Sequence, residues 1–585
     1  MLKEFRTLLP YARRYWRQYA GGLAFLVLTD AGQLYLPQLV RQAIDRIASG
    51  GFELHRILDL GLLMAGTAVV VALGRFFWRY FINGSSRRIE YELRERLFVH
   101  LQTLSSSFYG RHKTGDLMAH LTNDLQAIRM ATGMALVTFV DGFFMTLAIL
   151  AILLAQNARL ALLAASPLPV LTAGVILFGR IVGEQYRRVQ EGFSNLSDMA
   201  QESLAGIRVL KTFVQEKPFA RRFMERNREY SDRNLRLTKI YGLFFPAVSF
   251  LGGLTILIFL VLGGRAVMEG SLSPGTFTAF FAYLQMLIWP ALGAGFTINL
   301  LQRAGASLAR INALLAEQPD IQSPSVPASP VEGAKGGRIV FRDLSYAYPG
   351  TDKPALKGLN LTVEPGMIVG ILGRTGSGKS TLVQLLPRIL DPPPGTLFLD
   401  GVDVRSYELG ALRSAVRMVP QETFLFSASI RENIAFGARD GEAASLEEAA
   451  ALSTIDRDAR FFPQGLDTVV GERGITLSGG QKQRVALARA LLGKAEVYIL
   501  DDALASVDSE TEETILGRLL PRIRASTVLI VSHRVSTLKN ADLIVVLEGG
   551  RISQLGSHEQ LLAAGGFYAD IYRLQQLEQA LRTKK

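Results

Sequence analysis

Apolar positions along this chain are segregated. Before about residue 302 they gather into long, nearly uncharged runs, whereas beyond about residue 338 short apolar runs alternate with Gly-rich and polar stretches. A helix rising ~1.5 Å per residue needs about 20 apolar residues to cross ~30 Å of hydrocarbon. Six runs meet that length, near 19–40, 60–82, 133–154, 160–182, 243–264 and 275–301. They predict six membrane-spanning helices. SSRRIEYELRERLFVHLQTL (85–104) and SNLSDMAQESLAGIRVLKTF (194–213) lack Pro and mix charge with apolar residues at helical spacing. The spans are therefore expected to continue as helices well beyond the membrane.

The second pattern differs. IVGILG (368–373) and VYIL (497–500) are short continuous apolar runs, as buried parallel strands are, and helical patterns follow each. The fold class predicted is an α-helical membrane domain of six transmembrane helices with long cytoplasmic extensions, followed by an α/β domain that GRTGSGKS (373–380), directly after the first of these strands, marks as a P-loop ATPase. EQPDIQSPSVPASPVEGAKGG (317–337), rich in Pro, Ser and Gly, reads as an extended linker. The expected domains are 1–316, a linker at 317–337, and 338–585.

Charge sets the orientation. Of the net +12, seven Lys or Arg lie between residues 87 and 129, against one in QNAR between the third and fourth runs. Basic residues stay on the cytoplasmic side, so the N-terminus and everything after the sixth span are expected in the cytoplasm. The basic surplus is thereby assigned to an anionic membrane face, not to nucleic acid. The absence of Cys excludes disulfides, thiolate metal sites and a Cys nucleophile. The N-terminal segment lacks a small-residue cleavage site after its first apolar run, which predicts an uncleaved first span.

Three features of the membrane half carry candidate chemistry. Asp30 and Asp141 interrupt the first and third spans, where a carboxylate is costly unless it is paired or faces water. They predict either a cavity open to water or substrate, or a structural partner such as Arg75. Pro290, beside Trp289, predicts a kink in the sixth span. Thr114 and Gly115 in KTGDLMAHLTND (113–124) predict a break before a short crosswise helix able to touch a cytoplasmic domain.

GRTGSGKS (373–380) satisfies G-x-x-x-x-G-K-[ST] directly after a buried strand and before a helical pattern. Gly373, Arg374, Thr375, Gly376, Ser377, Gly378, Lys379, Ser380 and Thr381 are the expected phosphate-binding run. Backbone N–H groups and the helix N-terminus receive the phosphates of ATP, Lys379 reaches the β- and γ-phosphates, and Ser380 offers a hydroxyl to Mg²⁺. Asp501, at the end of the VYIL strand, is placed to hold the same Mg²⁺ through water.

With LSGGQKQR (477–484), the chain resembles the ATP-binding cassette (ABC) superfamily. SYAYPG (345–350) looks like that family's adenine-stacking loop with Tyr348, and MVPQETFLF (418–426) like its glutamine loop. VGERG (470–474) is similar to the loop beside the coupling helices, ASVD (505–508) to the segment that meets the opposite subunit, and SHR (532–534) to the switch histidine segment. Six spans fused before one cassette, with KTGDL and ESLAGIRVLK in the inner loops, resemble bacterial multidrug-exporter half-transporters.

The resemblance implies a catalytic set of Asp502, His533 and Gln421, and an Mg²⁺ set of Ser380, Gln421 and Asp501. It also implies that Ser478, Gly479, Gly480 and Gln481 cover the nucleotide held by a second cassette. The family normally has Glu directly after the Asp that ends this strand; here it is Asp502, shorter by one methylene. That departure implies a slow site on this chain's own phosphate loop, and a different partner half-transporter with Glu there and an altered signature. The function implied is an ATP-driven exporter of lipophilic drugs or lipids in the bacterial inner membrane. A nucleotide-gated channel or regulatory subunit and a homodimeric lipid flippase are the alternatives. Six spans exclude a soluble DNA-repair or translation ATPase.

Overall fold

The computed structural model describes residues 3–49, 54–328, 336–438, 446–471, 474 and 476–583. The chain divides into two compact units, one of residues 1–102 and 113–317, the other of 103–112 and 318–585. The expected loop 470–474 and linker 317–337 lie partly outside the described residues.

The first unit is helical. Six helices are long and apolar enough to cross a membrane: α1 (Trp16–Ala48), α2 (His55–Thr103), α3 (Thr114–Ala165), α4 (Pro167–Ala205), α5 (Glu216–Met268) and α6 (Pro274–Ala316). Five of them contain one apolar run each, and the fourth run, 160–182, begins in the last turns of α3 and continues into α4. Most are far longer than the ~20 residues a bilayer requires, as the amphipathic extensions predicted. π-helical turns interrupt α2 at Arg79–Asn83 and α3 at His120–Asp124 and Ala131–Ala135.

Local chemistry explains where these helices bend. The turn expected at QNAR is a sharp kink at Asn157 (φ −159°, ψ 99°), whose Oδ1 accepts from the Leu160 N–H at 3.0 Å. The kink expected at Pro290 is a break at Leu287, between the helical stretches Pro274–Met286 and Ile288–Ala316. Pro290 thus occupies the first turn of the second stretch, where its missing N–H costs no helical hydrogen bond.

Polar groups inside this unit are mostly paired, as a low-dielectric interior demands. The buried Tyr283 hydroxyl donates to the Leu34 carbonyl at 2.6 Å and accepts from Gln38 Nε2 at 2.9 Å. Asp45 of α1 accepts from the Gly275 N–H at 2.8 Å and from Ser273 Oγ at 3.0 Å, fixing the start of α6. Asp124 of α3 takes the Arg310 guanidinium, Ser307 Oγ and His120 Nδ1.

Asp30 differs. It is 1% exposed, and among the described residues no hydrogen-bond donor reaches either carboxylate oxygen. Asp30 is therefore enclosed by protein, with Asp141 and Arg75 as its charged neighbours. Elsewhere in this unit, Phe139, Phe143, Pro290 and Thr297 line an apolar cavity of about 940 Å³.

The second unit is α/β. Strands β1 (Ile339–Tyr346), β2 (Leu356–Val363), β4 (Leu397–Leu399) and β5 (Val402–Asp403) form an antiparallel sheet in the order β2-β1-β4-β5. A six-stranded sheet joins β3 (Ile368–Gly373), β6 (Val416–Val419), β7 (Val497–Asp501), β8 (Thr527–Val531), β9 (Leu543–Glu548) and β10 (Arg551–Gly556) in the order β10-β9-β3-β8-β7-β6. All pairs are parallel except β9–β10. Its central strands are buried on both faces, which is why they read as unbroken apolar runs. Because β8 pairs in register with both β3 and β7, the C-terminal ends of β3 and β7 emerge on one edge.

Residues 103–112, drawn from the loop between α2 and α3, belong to this unit. Within them the short helix Ser106–Arg111 buries Phe108, stacked on His112 with centroids 4.2 Å apart. Ser106 Oγ donates to the Ile389 carbonyl at 2.8 Å, and Ser105 and Ser107 donate to Asp320. The short crosswise helix expected from Thr114 is not separate: Thr114–Ala119 is the first stretch of α3 and falls in the helical unit. Sequence spacing located a helix there and missed the neighbouring one, whose serines find partners more than 200 residues away.

Candidate nucleotide-binding and hydrolysis site

β3 leads into the phosphate loop, which ends at helix α7 (Lys379–Leu385). Gly378 precedes that helix with φ +99°, and a Cβ there would lie 2.7 Å from Leu356 Cδ2. Only glycine satisfies both constraints. Lys379 is buried, its Nζ donating to the Gly373 carbonyl at 2.8 Å and the Arg374 carbonyl at 3.1 Å. The ammonium is thus curled into the loop whose backbone it must share with phosphate. Burial lowers its pKa, opposed by the nearby Asp502 and Asp501 charges.

The edge formed by β3 and β7 brings the cation ligands together. Ser380 Oγ donates to Asp501 Oδ1 at 3.1 Å. Asp501 is fully buried, and among the described residues its Oδ2 has no hydrogen-bond partner, nor has the buried Ser377 hydroxyl. Burial raises the Asp501 pKa, opposed by the Ser380 hydrogen bond. A hydroxyl and a half-satisfied carboxylate at the mouth of a phosphate loop suit an oxygen-seeking divalent cation. These residues fit Mg²⁺ carried in with ATP.

Tyr348 is 41% exposed, packed edge-on against Tyr346, its hydroxyl 2.9 Å from Thr381 Oγ1. One ring face remains available for stacking. Gln421 is exposed in the loop after β6. Arg374 stacks over the Phe567 ring, its guanidinium carbon 5.4 Å from the ring centroid.

At the end of β7 the two aspartates diverge. Asp502 is 7% exposed and has φ +47°, a left-handed conformation that Asp tolerates better than longer side chains. Its carboxylate turns to the switch segment, with Oδ2 3.3 Å from His533 Nε2. Asp501 faces the cation position and Asp502 faces the histidine.

The signature opens helix α8 (Gly479–Leu491) with a capping box: Ser478 Oγ accepts from the Gln481 N–H at 3.3 Å, and Gln481 Oε1 accepts from the Ser478 N–H at 2.9 Å. Ser478 and Gln481 thereby fix the helix start and leave Gly479 and Gly480 as its bare first turn. A Cβ on Gly480 would meet the Ser506 carbonyl at 2.9 Å, so this turn packs against the 505–508 segment. Buried Gln483 completes the link, donating to the Asp502 carbonyl at 3.3 Å and accepting from the Ser506 N–H at 2.8 Å. Sequence reasoning gave Gln483 no role, although it stands inside the quoted motif.

Residues 20–291 match the family described as ABC transporter transmembrane region, and residues 356–505 match the family described as ABC transporter. The chain belongs to the ABC transporters. Its membrane region and ATP-binding cassette are fused in one polypeptide, a half-transporter that binds ATP. It is 37% identical over 579 residues to YheI of Bacillus subtilis, a probable multidrug resistance ABC transporter ATP-binding/permease protein, covering 99% of this chain and 98% of that one. It is 38% identical over 581 residues to the multidrug resistance-like ATP-binding protein MdlA of Escherichia coli, with the same coverage. Among solved structures, a bacterial Atm1-family ABC exporter with ATP bound superposes with a TM-score of 0.78 at 27% identity, covering 96% of this chain and 98% of that one. As an ABC transporter with six apolar helices, the protein is integral to a membrane.

Proposed function

We propose that this chain is one subunit of an ATP-driven exporter in the bacterial inner membrane. Its N-terminus and cassette face the cytoplasm, and it moves lipophilic small molecules outward by alternating access. Its similarity to multidrug resistance ABC transporters and to an Atm1-family exporter supports that reading, as does the apolar cavity beside Phe139 and Phe143. ATP lies on Gly373–Thr381 with adenine against Tyr348. Ser380, Asp501 and Gln421 would hold Mg²⁺, which supplies charge neutralisation at the phosphates. Asp502 orients the attacking water and takes its proton as the bond to the γ-phosphorus forms and the β–γ bridging bond breaks. His533 holds Asp502 in position and steadies the transferring group. ATP shared between two cassettes shifts the spans between inward-facing and outward-facing states, because its affinity differs between them.

One observation carries the assembly: Asp502 stands where the family's pattern has Glu, in an otherwise complete cassette. A carboxylate short by one methylene sits about 1 Å from the productive position, enough to reduce rate ~100-fold. The intact LSGGQ can still complete the site of another cassette. The partner is therefore a different half-transporter that carries Glu and an altered signature. The test is ATPase activity of the chain alone, with and without Asp502→Glu, alongside ATP-dependent dye accumulation against a gradient in proteoliposomes of the chain with its partner. Passive, ATP-gated flux would instead identify a channel.

A further inference from the structure

The switch segment is held from behind by the last helix of the chain. Helix α9 (Ser509–Arg522) follows the 505–508 segment, and helix α10 (Phe567–Thr583) is the C-terminal helix. Gln575 of α10 donates from Nε2 to the His533 carbonyl at 2.8 Å and accepts at Oε1 from the Val535 N–H, also at 2.8 Å. One side-chain amide thus satisfies the two backbone groups that flank Arg534, as a neighbouring strand would.

Arg534 completes the frame on the other side. Its guanidinium donates to the Val507 carbonyl at 3.0 Å, the Ala505 carbonyl at 3.1 Å and Glu512 Oε2 at 2.5 Å. The other oxygen of buried Glu512 accepts from the Thr537 hydroxyl. His533 is consequently suspended between the 505–508 segment and α10. Packing fixes only the first turns of α10, where Phe567, Tyr568 and Ile571 meet the core. A cavity of about 700 Å³ lies between α9 and α10, bordered by Leu516, Arg534, Lys539, Tyr572 and Gln575. With open space behind the switch, the two Gln575 hydrogen bonds join the one from the Arg534 N–H to Ser532 Oγ (3.0 Å) in setting the height of its backbone.

From this geometry we propose that Gln575 is a positioning residue for hydrolysis. It fixes the switch backbone so that His533 Nε2 stays on Asp502, and makes turnover depend on docking of the C-terminal helix. This rests on reading Asp502 and His533 as the hydrolytic pair. Both of these Gln575 hydrogen bonds go to the switch backbone and not to the phosphate loop, so its loss moves the chemical step and leaves ATP affinity in place.

The experiment compares the full-length parent, Gln575→Ala and Gln575→Glu in detergent, by single-turnover hydrolysis of labelled ATP and by hydrogen–deuterium exchange at Val535. Gln575→Ala should lower the hydrolysis rate about tenfold, as a fraction of an ångström of displacement does, with half-saturation by ATP unchanged and faster exchange at Val535. Gln575→Glu keeps the acceptor for Val535, so it should retain protection there and recover part of the rate. Equal rates in parent and Gln575→Ala, unchanged exchange at Val535, or a rate loss matched by lost ATP affinity would each overturn the proposal. Absence of hydrolysis in the parent and in Asp502→Glu alike would overturn the hydrolytic reading with it, whereas a Gln575-insensitive rate overturns this inference alone.

Discussion

His533 Nε2 lies 3.3 Å from Asp502 Oδ2, at the end of a strand whose other terminal carboxylate, Asp501, points to Ser380 instead. Lengthening Asp502 should therefore act on hydrolysis without disturbing the cation side. In the isolated chain, Asp502→Glu should raise the ATPase rate by up to ~100-fold. It should also cost about 1 kcal/mol of stability, because φ +47° suits Asp better than Glu. Robust turnover by the parent with no gain from the glutamate would rule out a slow site.

Nucleotide affinity separates two contributions. Removing a buried phosphate cation by Lys379→Ala should weaken ATP binding by about 10- to 100-fold. Tyr348→Ala loses one stacking face, about 1 kcal/mol, and should weaken it about fivefold. Binding of labelled ATP to both purified variants checks this. Parent-like affinity in both would remove the nucleotide from this loop.

Acid should weaken cation-dependent binding early. Burial raises the Asp501 pKa in the folded state. Folded protein thus still holds this proton at pH values where an ordinary carboxylate, near ~3.9, has released it. Two consequences share that sign. Protons compete with Mg²⁺ from a higher pH than usual, and this group's contribution to folding stability is full at low pH and lost as pH rises through its folded pKa. A titration of Mg²⁺-dependent ATP affinity against pH should show the fall above the ordinary carboxylate range. A curve flat down to that range would contradict the burial argument.

Phe108 offers a test of coupling. It is 2% exposed in the short helix that belongs to the ATP-binding unit, whereas Gly115 belongs to the helical unit. Phe108→Ala should reduce ATP-driven transport at least about tenfold, since buried-Phe truncations cost about 3–5 kcal/mol locally, with ATP binding retained. Gly115→Ala, with open space around its Cβ position, should do less. Transport assays with expression-matched variants decide between them.

What the sequence disclosed and what it hid follow from the range of the interactions. The six spans and the strands IVGILG and VYIL are legible because burial acts on contiguous residues. Asp501, Lys379 and Ser380 are legible because phosphate chemistry fixes residue types at fixed offsets. The break at Leu287 was displaced from Pro290 because proline is tolerated in a first helical turn. Gln483, Arg534 and Gln575 were not legible as supports. Each acts through backbone partners that only tertiary structure brings close, and no local periodicity marks an amide reaching across 40 residues to the Val535 N–H.

The short helix at Ser106–Arg111 changes what it means to cut this protein in two. The polypeptide passes between the units at 102/103, at 112/113 and again at 317/318. A protease that nicks the Pro- and Ser-rich stretch after residue 317 severs only the last of these crossings. The ATP-binding unit remains threaded into the membrane chain through the first two, so a nicked molecule should stay a single particle. A cassette expressed from residue 318 onward lacks Ser105, Ser106 and Ser107, and leaves Asp320 and the Ile389 carbonyl without those donors.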